Sequence, residues 1–165
     1  MTEQYQTVTA DPPVVIEQRI SNPAMLPDAL TGIQKLLVAV NKGGLPASII
    51  ELTHMRASQI NGCSACIEGT ILIANKKGEA LDDRLLMVAG WRHSSQFTDA
   101  ERAALELTEE ITRTADRPDP VPDEIWARAA EHYDEKALGA LVLHVGLVNL
   151  FNRVNVSIRQ PAAAW

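Results

Sequence analysis

With 165 residues, 46% of them hydrophobic, the chain can build one domain around a core of its own, without a structural metal or a disulfide scaffold. Aromatic residues are only 4% while Ala and Leu are abundant, a balance that favours helix packing over sheet packing. The formal net charge is −6 and no basic cluster stands out, which argues against nucleic acid as a partner.

Residues 1–22 read as an irregular segment, with Pro12, Pro13 and Pro23 opposing helix. Met1 to Asp11 is polar and has neither a basic start nor an apolar run, so no export signal is predicted. Residues 23–160 read as one helical domain and 161–165 as a tail. The first helix starts near Pro27 and sets Leu26, Leu30, Ile33, Leu37 and Val40 on one face before Gly43-Gly44 stops it. Pro46 suits the first turn of a second helix, which should end at Asn61-Gly62.

A third helix begins at Cys63 or Ser64 and runs to Lys77, with Gly78 as a left-handed terminator. A shorter one follows from about Asp82 to Trp91. Thr98-Asp99-Ala100-Glu101 is a capping box that opens the next. Arg117 to Pro122 holds three prolines and reads as a loop, and Asp123 to His132 as a short helix. The last helix, from about Asp134 to Ile158, is apolar nearly all round, as for a helix buried in a core or against another subunit. Its most apolar part, Leu141 to Leu150, is interrupted by His144, Gly146 and Asn149 and is short for a bilayer, so no membrane partner is predicted. No run alternates as a strand should. The fold class is therefore all-α, a single-domain bundle of about six or seven helices, and the expected location is cytosolic.

The chemistry is concentrated in Cys63-Ser64-Ala65-Cys66. In a reducing compartment a lone cysteine pair is more often redox-active or metal-binding than a structural staple. Residues three apart at a helix start can bring their sulfurs within disulfide reach. The helix N-terminus favours a thiolate, the form that attacks a peroxide or a disulfide. One cysteine can be oxidised to a sulfenic acid and the other can condense with it. Structural zinc would need four ligands, and His54, His93, His132 and His144 lack ligand spacing. A thioredoxin-type fold would need a strand before the motif, where this chain reads as helix. No metal site and no cofactor-binding site is predicted.

Glu51 would lie about 18 Å from Cys63 in a continuous helix, at about 1.5 Å per residue. A hairpin at Asn61-Gly62 would bring it back beside the third helix, about level with the turn after Thr70, where a carboxylate could act as a base through one intermediary. A solvated surface glutamate is the alternative. His144, within an apolar helix, suits a buried hydrogen-bonded core position; His93 and His132 suit solvated helix ends; Trp91 and Trp126 suit core or interface anchors.

The segment from Glu51 to Cys66, with Glu, eleven residues, Cys, two residues and Cys, resembles the alkyl hydroperoxidase D (AhpD) family of the carboxymuconolactone decarboxylase-like superfamily. Trp91-Arg92, Phe97 to Arg102 and Asn149 to Arg153 are similar to it too, and the likeness runs from about Leu26 to Ile158. It implies an all-α AhpD-like fold, a homo-oligomer (trimer or hexamer), and reduction of small alkyl hydroperoxides. Cys66 would be the peroxidatic thiol, Cys63 the resolving one and Glu51 the base of a proton relay. Electrons would come from a dithiol protein, lipoylated or thioredoxin-like. The other activity of the superfamily, a lactone-decarboxylating lyase, needs no cysteine pair; a non-enzymatic redox-sensing oligomer is a further alternative.

One position departs from the pattern: the family histidine four residues after the second cysteine is Thr70 here. Threonine passes a hydrogen bond but does not titrate near neutral pH. His54 lies one turn after Glu51 on the same side of the second helix, roughly level with position 70 of the third. It is a candidate substitute, placed to pass protons between Glu51 and Cys66 near neutral pH; a His54 that faces solvent is the alternative.

Overall fold

The computed structural model describes residues 14–78 and 82–162, and among these there is no strand. Seven α-helices follow in order: α1 (Pro27–Asn41), α2 (Ala47–Asn61), α3 (Ser64–Lys77), α4 (Asp83–Met87), α5 (Asp99–Thr112), α6 (Asp123–Ala130) and α7 (Glu135–Ile158). Residues 14–22 are irregular and lead into a 3-10 turn, Pro23–Met25.

The boundaries follow local chemistry. Gly44, Gly62 and Gly78 sit in the left-handed region after α1, α2 and α3, where a side chain would be strained. Pro46 caps α2 from just outside rather than forming its first turn. The capping box of α5 is complete: the Thr98 hydroxyl accepts from the Glu101 N–H, and the Glu101 carboxylate accepts from the Thr98 N–H. Asp134 caps α7 by accepting from the Ala137 N–H. The helix expected from Asp82 to Trp91 is split. It leaves α geometry after Met87 and continues as a 3-10 segment, Val88–His93, with Gly90 non-helical inside it.

Helix α2 packs against both α5 and α7, which makes it the central helix. One cluster joins Ile49 to Leu107, Ala129, Leu141 and Val145, and a second joins Leu52 and Met55 to Leu85, Val88, Trp91, Phe97 and Leu105. Full burial of each such Leu or Phe stabilises the fold by roughly 1.5–3 kcal/mol. Gly43 allows α1 to end against α7, since a Cβ there would stand 2.1 Å from the Ala140 Cβ.

Beneath α2, Glu109 ties three elements together. Its carboxylate accepts from Arg56 Nε at 2.7 Å, Trp91 Nε1 at 2.8 Å and an Arg92 guanidinium nitrogen at 2.7 Å. Burial opposes its charge, yet the bonds from Trp91, Arg92 and Arg56 outweigh burial and hold its carboxyl down at about 2.

Two observations bear on α7. It is 24 residues long with a mean hydropathy of 1.5 over its most apolar window, so by length and composition it could cross a membrane, although the shorter stretch within it is interrupted. Within this chain 56% of that window is buried, while Val142, Leu143, Leu150 and Val156 face outward, the side left for the other expected setting, a second subunit. A helix that packs on α1, α2, α3, α5 and α6 has the burial of a core helix.

Candidate active site

The cysteines stand where α2 turns into α3. Gly62 takes the left-handed conformation, its N–H donates to Gln59 and that of Cys63 to Ser58, and the chain then re-enters helix at Ser64. Cys63 is the N-cap of α3 and Cys66 lies in its first turn. Their Cα atoms are 5.3 Å apart and the sulfurs are joined in a disulfide. Both residues are buried, with Cys63 1% and Cys66 8% exposed.

Each cysteine borders a different cavity. Cys66 lines one of about 200 Å³, walled by His54 of α2, Gly69, Thr70 and Ile73 of α3, and Phe151 and Asn155 of α7. Cys63 lines one of about 440 Å³ on the other side, among Glu68, Arg159, Gln160 and the irregular segment at Val14 and Ile16.

The sequence-derived residues are therefore only partly assembled. His54 and Thr70 come together at Cys66, from two helices. Glu51 does not: it is exposed on α2 and lines neither cavity. Neither Glu51 nor Cys66 is hydrogen-bonded to His54 among the described residues; the donors to the Cys66 sulfur are Asn152 and Asn155. The expectation that His54 titrates near neutral pH is also corrected. Burial, and secondarily the nearby His144, push it down to about 4, so at neutral pH it is an uncharged imidazole.

Thr70 donates its hydroxyl proton to the Cys66 carbonyl at 3.0 Å. It can still accept a hydrogen bond, but it does not replace a titrating group. His144 is the buried core histidine that its setting suggested. One ring nitrogen lies 3.1 Å from the Ile50 carbonyl, which can only accept, so that nitrogen carries the proton. Burial holds His144 below its ordinary range. His93 and His132 are exposed. Trp91 is buried and Trp126 is 43% exposed.

Sequence reading overlooked the asparagines. Asn149, Asn152 and Asn155 are all buried on α7. The Asn152 side chain donates to the Cys66 sulfur at 3.1 Å and to the Ser58 hydroxyl at 3.1 Å; that of Asn155 donates to the sulfur at 3.4 Å. Asn61, the residue before the Gly62 break, donates to Asn149 and Asn152. The available signal was amide side chains every third residue along an otherwise apolar helix.

The carboxymuconolactone decarboxylase family model matches residues 25–110. The chain belongs to this family. It is 32% identical over 149 residues to the uncharacterized protein YdfG of Bacillus subtilis (strain 168), covering 90% of this chain and 99% of that one. It is 38% identical over 112 residues to the uncharacterized protein YnjA of Escherichia coli (strain K12), covering 67% of this chain and 59% of YnjA. Among solved structures, ATU0492 of Agrobacterium tumefaciens, a protein of unknown function and candidate AhpD of antioxidant defence, aligns with a TM-score of 0.76 at 26% identity, over 87% of this chain and 97% of its own. The fold and the membership are thus AhpD-like. The apo debrominase Bmp8 shares the fold, with a TM-score of 0.67 at 18% identity over 81% of this chain and 70% of its own.

Proposed function

We propose that the protein is a thiol-dependent oxidoreductase that reduces small alkyl hydroperoxides, with Cys66 as the attacking sulfur and Cys63 as the resolving one. The observation that carries this reading is the position of Cys66, which is bonded to Cys63 at a helix start while lining an apolar cavity suited to a small organic peroxide. Family membership and the AhpD-like neighbour support the same chemistry.

In the reduced enzyme the Cys66 thiolate attacks the distal peroxide oxygen and the O–O bond breaks. This leaves a Cys66 sulfenic acid and an alkoxide, which takes a proton to become the alcohol. The Cys63 thiol attacks the sulfenic sulfur and water departs, giving the disulfide. A dithiol protein, lipoylated or thioredoxin-like, restores both thiols by two exchange steps and is itself oxidised. In the cytosol such carriers keep the pair reduced between turnovers. His54, uncharged and open to the cavity, is the protein group best placed to handle the proton at Cys66. Glu51, exposed one turn away on α2, would act on it through solvent.

The test is multiple-turnover consumption of tert-butyl hydroperoxide with dihydrolipoamide as reductant. Sustained turnover that vanishes in Cys66→Ser supports the reading; no consumption by fully reduced protein overturns it.

A further inference from the structure

We infer that Asn152 and Asn155 are catalytic residues: their side-chain N–H groups form a two-donor cradle that stabilises the Cys66 thiolate. The inference deepens the reading above by naming what activates the sulfur.

The nitrogen and oxygen of an amide are easily interchanged, so each orientation needs a neighbour of fixed polarity. Here fixed-polarity groups decide it. On the Asn152 side, Asn149 Nδ2 lies 2.9 Å from the Val145 carbonyl, which can only accept. Asn149 Oδ1 lies 2.7 Å from an Arg153 guanidinium nitrogen, which can only donate. Asn149 is therefore oriented from both ends. The Asn61 group 3.0 Å from that oxygen must then be its NH₂, and the same NH₂ lies 2.9 Å from Asn152, which must present its oxygen to it. The nitrogen of Asn152 is left facing Cys66 Sγ.

On the other side, the Ala24 backbone N–H donates to Asn22 Oδ1 at 3.0 Å. Asn22 Nδ2 then donates to Asn155 Oδ1 at 3.1 Å, which turns the Asn155 nitrogen to the sulfur. Two independent chains of bonds, each anchored on a backbone group, thus point a donor at the same atom.

Both amides are buried, Asn152 at 0% and Asn155 at 2% exposure. Hydrogen bonds to a charged acceptor in such surroundings are stronger than those to a neutral one. A neutral thiol or a disulfide sulfur is a weak acceptor, so the donors favour the thiolate over either. The titratable group sharing the cavity of Cys66 is His54 of α2; Glu68 of α3 and Arg159, which follows α7, line the cavity at Cys63. His54 changes charge at about 4, below the range in which a thiol titrates, so it does not mimic the effect.

The experiment needs no peroxide, so its failure is separate from failure of the peroxidase reading. In a Cys63→Ser background Cys66 is the only thiol. Its ionisation is read from the pH dependence of alkylation by iodoacetamide. Asn152→Ala and Asn155→Ala should each move the midpoint upward by about one unit, slowing alkylation near neutral pH about tenfold, while the rate at high pH stays close to that of the parent. A merely structural role would change the plateau or the helical signal without moving the midpoint. Where an alanine variant does not fold, the unaltered asparagines are read directly: the side-chain ¹⁵N–H resonances of Asn152 and Asn155 should shift with the Cys66 midpoint, and those of Asn41 and Asn75 should not. Unmoved midpoints in folded variants, or side-chain resonances that ignore the ionisation, would overturn the assignment.

Discussion

His54 and Cys66 lie on different helices yet line one cavity, together with Thr70 of the helix that carries Cys66. Where the family pattern places a histidine at position 70, this chain has an imidazole from α2 lining the same cavity. Because His54 is already neutral above about pH 4, its contribution should not vary across the neutral range. We expect His54→Ala to slow Cys66 oxidation about tenfold, with the same factor from about pH 5.5 to about pH 8. Glu51→Gln should have a smaller effect, since Glu51 is exposed and outside the cavity. Stopped-flow peroxide oxidation of the reduced variants checks both; an unchanged rate in His54→Ala leaves Thr70 and water as the proton carriers.

Acid should destabilise the fold in two stages. Partly buried His54 and buried His144 have folded pKa values below the unfolded value of 6.5. The unfolded chain therefore takes up protons first, and stability falls as pH drops below about 6.5. Glu109 is held at about 2 against an ordinary 4.5, so its contribution is complete above about 4.5 and is lost as pH falls toward 2. Urea midpoints should fall in both windows as pH is lowered, and Glu109→Gln should flatten the second stage.

Two glycines should resist alanine for different reasons. At Gly62 nothing stands near the missing Cβ, but φ is +65°, so Gly62→Ala should cost about 1–2 kcal/mol from backbone strain alone. At Gly43 the conformation is ordinary and the space is not: the new Cβ meets Ala140 Cβ at 2.1 Å. Gly43→Ala should cost about 1–3 kcal/mol by overpacking. Ala140→Gly should recover much of that loss, less about 1 kcal/mol for glycine within a helix. Denaturant unfolding of the two singles and the double closes the cycle.

Assembly is expected from the outward faces. Leu36, Leu37 and Val38 of α1 and Val142, Leu143 and Leu150 of α7 are all more than a third exposed, apolar side chains that a further copy of the chain would cover. Sedimentation at micromolar concentration should give a trimer or hexamer; a stable monomer would remove that proposal.

Much of the helical frame was legible because its stops are chemical. The Gly44, Gly62 and Gly78 terminators and the Thr98 capping box act within a few residues, so local sequence suffices. The 3-10 segment after Met87 was not legible, because the tie of Trp91 and Arg92 to Glu109 is a tertiary constraint. The cysteine pair was plain from its spacing. The hairpin at Gly62 does set His54 near position 70, but rough mirroring could not show that Glu51 stays exposed, since it carries no information on helix rotation. The orientation of Asn152 and Asn155 was hidden because it depends on residues 22, 61 and 149, joined to them only when the segment before α1 packs with α2 and α7.

The most direct measurement of the central claim asks which sulfur peroxide strikes. Reduced Cys63→Ser and Cys66→Ser proteins are exposed to one equivalent of alkyl hydroperoxide, trapped with dimedone and read by mass spectrometry. We expect a sulfenic-acid adduct on Cys66 in the first variant, no adduct in the second, and in the unaltered protein a loss of two hydrogens as the Cys63–Cys66 disulfide closes. An adduct on Cys63 with Cys66 unreactive, or free thiols that survive peroxide in all three proteins, would contradict it.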